Sequence, residues 1–178
     1  MKDGNIIKKL CVKIIQRLLY SVNKSIVEST MKTLAHCRNY SVSEGISVKG
    51  HQFISVGENF RAGKSLRLEA LESHEGTMYN PSLAIGNNVS IEDYCHIGCI
   101  NSITIGDNVL IASKVFITDH SHGTVSSEDL SCIPAHRPLT SQPVKIGNNC
   151  WIGDGVCILQ GVTLGDNVIV GANAVVTQ

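Results

Sequence analysis

Aromatic residues are scarce in this sequence of 178 residues, of which only 4% are Phe, Trp or Tyr. The hydrophobic fraction of 43% is still sufficient for one domain with a core, which must be built from Val, Ile, Leu, Ala and Cys. Large rings normally dominate the packing of a globular core. Their scarcity therefore favours a fold made of thin, regular layers.

The sequence also lacks an apolar run of about 18 residues or more, the length that a membrane-spanning helix needs. Residues 5–22 come closest, but Lys8, Lys9, Lys13 and Arg17 interrupt them. The segment has neither the continuous apolar stretch nor the cleavage site of a signal peptide. The seven cysteines are odd in number and show no framework spacing, which indicates reduced thiols. We therefore expect a cytoplasmic protein.

The net charge is zero, but the charges are distributed unevenly. Residues 1–40 contain eight Lys/Arg and two Asp/Glu, whereas residues 41–178 contain seven and thirteen. The basic N-terminal segment is expected to meet something acidic, such as a membrane surface. The acidic remainder argues against nucleic-acid binding, which needs a basic face on the folded body.

One five-residue phrase occurs five times along the chain. Its copies are Val56-Gly-Glu-Asn-Phe60, Ile85-Gly-Asn-Asn-Val89, Ile105-Gly-Asp-Asn-Val109, Ile146-Gly-Asn-Asn-Cys150 and Leu164-Gly-Asp-Asn-Val168. The intervals of 29, 20, 41 and 18 residues fit a period of 18 with insertions of 11, 2 and 23 residues. A repeat of this length indicates a solenoid.

A period of six lies inside the period of 18. Aliphatic residues recur at Ile146, Ile152, Ile158, Leu164, Val170 and Val176. Six residues for each short strand and turn, with three strands per coil, predict a triangular prism whose aliphatic positions point inward. Gly, Asn and Asp suit its tight corners. An ordinary sandwich with hairpin turns would not keep this phase over so long a stretch.

The breaks in the rhythm predict the domain organisation. We expect a basic amphipathic helical segment over residues 1–40 and a β-helix domain over 41–178, with loop insertions at about 70–81 and 118–143. The helical segment has two interpretations, which are compatible. It either caps the open strand edge of the first coil or lies on an anionic membrane as a peripheral anchor.

The repeat resembles the hexapeptide-repeat acyltransferases over roughly residues 46–178. Within that family it is most similar to the maltose and galactoside acetyltransferases and their relatives that O-acetylate polysaccharides. The segments that carry the resemblance are 105–111 (Ile-Gly-Asp-Asn-Val-Leu-Ile), 115–123 (Val-Phe-Ile-Thr-Asp-His-Ser-His-Gly) and 144–153 (Val-Lys-Ile-Gly-Asn-Asn-Cys-Trp-Ile-Gly). The resemblance implies a left-handed parallel β-helix, acetyl-CoA as co-substrate and a homotrimer with clefts between neighbouring prisms.

Two histidines at the start of the long insertion are the candidate catalytic residues. Acyl transfer needs a base that removes the proton of the attacking group, and neutral imidazole suits this role. A count without gaps from Val115 places the family's catalytic histidine at His122, which we favour over His120. Asp119 or a backbone carbonyl is expected to orient the base through its second ring nitrogen.

The resemblance also implies binding residues. The positions that match the family's coenzyme A contacts are Trp151, Gly153, Asp154, Ala172 and Thr177. At the acceptor end we expect Glu92, which stands where the branch has a sugar-contacting Asn, together with Asp93, Tyr94, His96 and Asp119. No metal is expected, because the spacing of His96, His120 and His122 does not match the zinc enzymes of this fold.

These features predict an acetyl-CoA-dependent O-acetyltransferase acting on a sugar hydroxyl by direct attack on the thioester. The acceptor would be a sugar or a lipid-linked glycan in polysaccharide or lipopolysaccharide biosynthesis. One alternative is N-acetylation of a nucleotide-linked amino sugar, and another is a solenoid scaffold without catalysis.

Overall fold

The computed structural model of this protein describes the backbone of residues 3–34 and 37–177 and the side chains of residues 9–34 and 37–177. Its α-helices are α1 (Asp3–Thr33) and α2 (Ser127–Ser131), and short 3-10 turns occupy His51–Phe53 and Pro134–His136. The strands are β1 (Tyr40–Val42), β2 (Ser47–Lys49), β3 (Ile54–Val56), β4 (Phe60–Ala62), β5 (Arg67–Ala70), β6 (Ser73–His74), β7 (Thr77–Met78), β8 (Ser82–Ile85), β9 (Ser90–Ile91), β10 (His96–Cys99), β11 (Ser102–Ile105), β12 (Leu110–Ile111), β13 (Phe116–Thr118), β14 (His120–His122), β15 (Leu139–Ser141), β16 (Val144–Ile146), β17 (Trp151–Ile152), β18 (Cys157–Ile158), β19 (Thr163–Leu164), β20 (Ile169–Val170) and β21 (Val175–Val176).

Three parallel sheets form the faces of a prism, and the chain visits them in turn. The first face contains β1, β4, β9, β12, β17 and β20, and the second contains β2, β5, β10, β13, β18 and β21. The third face contains β3, β8, β11, β16 and β19. Equivalent strands of successive coils pair directly, so the predicted parallel β-helix is confirmed.

The core is a stack of aliphatic side chains inside the prism. On the second face, for example, Ile97 pairs with Leu68 on one side and Ile117 on the other, and Ile117 pairs with Ile158. All four side chains are buried. Because each inward residue lies on its equivalent in the next coil, aliphatic side chains fill most of the interior, and Phe60 is the one fully buried aromatic ring among the described residues.

The Gly-Asx-Asn part of each repeat, which reads Gly-Glu-Asn in the first copy, forms a corner between the third and first faces. Its last asparagine has a left-handed backbone, with φ between 56° and 61°, at Asn59, Asn88, Asn108, Asn149 and Asn167. Their side-chain amides hydrogen-bond from coil to coil over 2.8 to 3.3 Å. The glycine is required because a Cβ at Gly106, for instance, would lie 2.8 Å from the carbonyl carbon of Gly147 in the next coil.

Helix α1 covers the first coil only through its last turns. Val27, Met31 and Leu34 are buried there as part of the prism core. The preceding turns carry exposed apolar side chains at Leu10, Val12, Ile14, Ile15, Leu18, Leu19, Tyr20, Val22 and Ile26. Among the described residues, no helix is long and apolar enough to cross a membrane.

The insertions lie at corners of the prism. The first, between β5 and β8, holds the antiparallel pair β6–β7, and the longest, between β13 and β16, holds β14, β15 and α2. The two insertions touch, since the rings of His74 and His122 are 5.3 Å apart and His136 Nδ1 lies 3.0 Å from Glu75 Oε2. The two-residue insertion is Ile100–Asn101, between β10 and β11.

Candidate active site

A buried carboxylate lies where β13 ends and the long insertion begins. Asp119 is fully buried. Its Oδ1 accepts the backbone N–H of Ile100 at 2.9 Å, and its Oδ2 accepts that of Asn101 at 2.8 Å. The thiol of Cys99 donates to Oδ2 at 3.3 Å. Asp119 therefore has hydrogen-bond donors on both oxygens although no water reaches it.

The donors that hold Asp119 come from the two-residue insertion. A regular corner after β10 would have no extra residues, and the bulge of Ile100 and Asn101 turns two backbone N–H groups toward the neighbouring coil. Sequence analysis counted this insertion but assigned it no role. The interval of 20 residues between Ile85 and Ile105 is two residues longer than the period of 18, and this excess could have located the insertion.

The environment keeps this carboxylate ionised. Burial alone would raise the pKa of Asp119, but the hydrogen bonds from His120, Ile100 and Asn101 outweigh that effect and lower it below its ordinary value. Burial, and then the charge of Asp119, raise the pKa of the Cys99 thiol to about 12. Cys99 is thus a hydrogen-bond donor to Asp119 and not a nucleophile at neutral pH.

His120 is the side chain that Asp119 orients. Its Nδ1 lies 3.0 Å from Asp119 Oδ1, and its side chain is 14% exposed. The hydroxyl of Thr118, 3.2 Å from the same nitrogen, donates to the His120 carbonyl. Because an ionised carboxylate can only accept, the proton of a neutral ring resides on Nδ1 and Nε2 is left as an acceptor. This is the arrangement that a general base requires.

His122 lies in a different environment. It is the last residue of β14, it is exposed, and its ring contacts the edge of His74. No carboxylate is paired with it among the described residues. The geometry therefore favours His120 as the base, whereas the gapless count along the sequence favours His122.

A polar strip adjoins His120 on the outer side of the second face. A Cβ at Gly98 would lie 3.4 Å from His120 Cε1 and 3.6 Å from His96 Nε2, so the two rings flank this glycine. His96 Nε2 lies 3.0 Å from Glu69 Oε2, which also accepts a 2.8 Å hydrogen bond from Arg67. Lys49 Nζ lies 3.3 Å from Glu69 Oε1. Of these residues, sequence analysis assigned only His96 to the acceptor end.

Two ionisable side chains of the polar strip, Glu69 and His96, have lowered pKa values. Burial alone would raise the pKa of Glu69, but the hydrogen bond from Lys49 and the charge of Arg67 outweigh it and lower the pKa. Burial, and then the charge of Arg67, lower the pKa of His96. At neutral pH the strip therefore carries two cationic side chains, one carboxylate and an uncharged imidazole.

The predicted acceptor residues are dispersed. Glu92 and Tyr94 are exposed at the corner before β10, whereas Asp119 contacts Ile100 and Asn101 beyond the other end of that strand. Asp119 is inaccessible and can act only through His120, so the structure does not place it at an acceptor surface.

The predicted coenzyme A residues lie in the last coils. Trp151 is half-exposed on the first face, and Gly153 and Asp154 have structural contacts there. A Cβ at Gly153 would lie 2.7 Å from the nitrogen of Ala172, and Asp154 Oδ1 accepts the N–H of Ser113 at 3.1 Å. Ala172 and Thr177 are exposed. Within residues 3–34 and 37–177, no group of three His, Cys, Asp or Glu side chains could hold a metal ion.

Comparison with known proteins identifies similar chains. The model of the bacterial transferase hexapeptide (six repeats) matches residues 143–178, and that of the hexapeptide repeat of succinyl-transferase matches residues 88–119. The chain is 44% identical over 127 residues to a putative lipopolysaccharide biosynthesis O-acetyl transferase, WbbJ, of Escherichia coli K12, covering 69% of this chain and 61% of that protein. It is 34% identical over 164 residues to the galactoside O-acetyltransferase of the same strain, covering 83% and 68%.

A solved structure extends this likeness. A galactoside acetyltransferase in complex with coenzyme A superposes with a TM-score of 0.50 at 27% identity, over 92% of this chain and 68% of that one. The predicted fold class, a left-handed parallel β-helix with an N-terminal helix, is thereby confirmed. The match to the WbbJ protein spans less than two thirds of that relative's length.

We expect Asp119→Asn to lower the free energy of unfolding by about 2 kcal/mol or more at pH 7, because one donor of the new amide must face a backbone N–H group. Asp119 has a lowered pKa in the folded protein, so its contribution is present above its unfolded pKa and is lost as pH falls through the folded pKa. Urea unfolding measured from pH 7 downward should show the two proteins converging in acid. The exposed Glu72→Gln is the charge-matched control, and a variant that unfolds like wild type at pH 7 would contradict this account of Asp119.

Proposed function

This chain belongs to the hexapeptide-repeat acyltransferases, and we propose on that basis that it transfers an acetyl group from acetyl-CoA to a hydroxyl group of a sugar. Its two relatives named above are an O-acetyltransferase for galactosides and a putative one for lipopolysaccharide biosynthesis, which supports a carbohydrate acceptor. The coenzyme A complex of a related structure supports acetyl-CoA as the donor.

The observation that carries the proposal is the pair formed by Asp119 and His120. In the proposed step, His120 Nε2 removes the proton of the sugar hydroxyl while the hydroxyl oxygen attacks the carbonyl carbon of the thioester. The new C–O bond forms, the C–S bond breaks, and the proton passes from His120 to the departing thiolate. Asp119 holds the ring and stabilises the imidazolium that forms between these two events.

His120 replaces His122 as the favoured base in this proposal. A base needs a fixed ring with one free nitrogen, and the hydrogen bond to Asp119 gives His120 that state. His122 instead packs against His74 at the junction of the two insertions. Its proposed role is to order the long insertion.

The proposed donor site lies beside Trp151. By family resemblance the pantetheine arm passes Trp151, Ala172 and Thr177, whose exposure on the last coils is compatible with such contacts. Gly153 and Asp154 would shape this path indirectly, because they join the coil of Trp151 to its neighbours. Glu92 and Tyr94 remain candidates for the outer acceptor end.

We propose that the active form is a homotrimer. A single prism has convex faces, whereas two prisms side by side form a cleft, and threefold closure gives three equal clefts. An exposed apolar column on the first face, formed by Leu110, Trp151 and Ile169, supports this association.

In solution, the wild-type mass should correspond to three chains, as measured by light scattering. Trp151→Glu should shift the mass toward the monomer, since it puts a charge into the apolar column. Thr163→Glu, on the outward side of the third face, is the matched control and should leave the trimer intact. A monomeric wild-type protein would contradict the proposal.

We further propose peripheral contact with an anionic membrane, where lipid-linked acceptors reside. Leu18 precedes Val27 by nine residues, which at 3.6 residues per turn places it on the side of α1 opposite the buried contact. Most of the exposed apolar residues of α1 lie on that side, namely Leu10, Ile14, Ile15, Leu18, Val22 and Ile26. Lys9, Lys13 and Lys24 lie toward the other side, together with Val12, Leu19 and Tyr20, and a basic side opposite an apolar one is typical of interfacial helices.

Vesicles with anionic lipid should co-sediment the wild-type protein, and vesicles of neutral lipid should bind it far less. Leu18→Asp should abolish most of the binding, because it interrupts the apolar side of α1. Gln16→Asp adds the same charge on the opposite side and should have a much smaller effect. Equal losses of vesicle binding in the two variants would mean that the added negative charge alone weakens binding, and this result would overturn the proposed contact.

The reaction is tested by thiol release from acetyl-CoA across a panel of sugars, nucleotide sugars and amino sugars. We expect His120→Ala to lower the turnover number by about 100-fold or more, the usual contribution of a general base, and His122→Ala to lower it by much less. Hydroxylamine should cleave the product if it is an ester. An amide product would instead indicate the N-acetyltransferase, and the absence of transfer to every acceptor would favour a scaffold.

A further inference from the structure

We propose that the polar strip on the second face forms one wall of an acceptor groove and that its Arg67–Lys49 end binds an anionic oxygen group of the acceptor, either a phosphate or a carboxylate. This inference rests on the proposed sugar acetylation and adds a substrate class to it. The acceptor would thus be a sugar phosphate or an acidic sugar rather than a neutral one.

The groove begins at the base. The rings of His120 and His96 flank Gly98, since a Cβ atom there would lie 3.4 Å from His120 Cε1 and 3.6 Å from His96 Nε2. Gly98 itself is buried between the two rings, so a hydroxyl group would reach His120 at the edge of its ring, where the side chain is 14% exposed. A hydroxyl that donates to His120 would lie beside the hydrogen-bonded pair of His96 and Glu69.

The far end of the groove exposes positive charge and covers negative charge. Glu69 lies at the centre of the cluster with a side chain only 11% exposed, whereas those of Arg67 and Lys49 are 52% and 66% exposed. The carboxylate thus fixes the two cations in place but is itself shielded from an incoming ligand. Because His96 has a lowered pKa, it adds no charge at neutral pH, and the cluster keeps a surplus of one positive charge.

The surplus is local and does not reflect the overall charge of the domain. Residues 41–178 contain thirteen acidic and only seven basic residues, so the folded body as a whole repels anions. Arg67 forms a short hydrogen bond with Glu69 through one terminal nitrogen, and its guanidinium offers further N–H groups in the planar geometry that suits phosphate and carboxylate.

The register of the strands sets the distance between the anion and the reacting hydroxyl. His96 pairs directly with Arg67, and Glu69 with Lys49, so Arg67 is one strand away from the rings and Lys49 two. At roughly 4.8 Å per strand the anion would lie about 5–10 Å from the hydroxyl. This separation suits a charged group on the acetylated sugar or directly attached to it.

Binding of three probes to the full chain, measured by calorimetry, tests the inference. Glucose 1-phosphate carries a phosphate, glucuronate carries a carboxylate, and glucose carries neither. We expect at least one charged probe to bind about tenfold tighter than glucose, and the tighter of the two identifies the anion source. Arg67→Gln and Lys49→Gln should each remove most of this preference.

Arg61→Gln is the matched control, since Arg61 lies in the neighbouring strand β4 on the first face, outside the groove. It should keep the preference of wild type, and thermal unfolding should verify that every variant is folded. Equal binding of all three probes, or the same loss in Arg61→Gln, would overturn the site. Binding needs no acetyl transfer, so a charged preference in a protein that acetylates no sugar would refute the proposed reaction but not the anion site.

Discussion

The corner asparagine is the constraint on which the rest of this structure depends. Asparagine tolerates a left-handed backbone at small cost, and here its amide also bonds the equivalent amide of the next coil. The residue before it adds a second link, as when Asp107 Oδ1 accepts the N–H of Asn87 at 2.7 Å. These ladders keep successive coils in register, so residues separated by 18, 20, 29 or 41 positions become neighbours.

The register between successive coils aligns outward side chains in columns on each face of the prism. Arg67, His96 and Phe116 share one outward column of the second face, and Glu69, Gly98 and Thr118 share the next. The polar strip is thus built from single residues on successive coils, whereas His120 comes from the long insertion. The insertion of Ile100 and Asn101 departs from this order, and its two free N–H groups bind the carboxylate that orients His120.

Sequence analysis predicted the family, the solenoid and the N-terminal helix because each depends on a regular spacing. The polar strip was also within reach, since Arg67 and His96 are separated by the same 29 residues as Val56 and Ile85. The buried position of Asp119 could not be predicted, because the backbone N–H groups that bind it have directions that no residue type reveals. The sequence therefore could not show that Asp119 pairs with His120, and a gapless count favoured His122.

The central claim is that Asp119 leaves His120 with a free Nε2 that can accept a proton from a sugar hydroxyl. Nitrogen NMR of histidine-labelled protein, with His120 assigned by its absence in His120→Gln, measures the tautomer directly. The account predicts a neutral ring protonated on Nδ1 in the wild-type protein and a loss of that preference in Asp119→Asn. A ring protonated on Nε2 in the wild-type protein would contradict it.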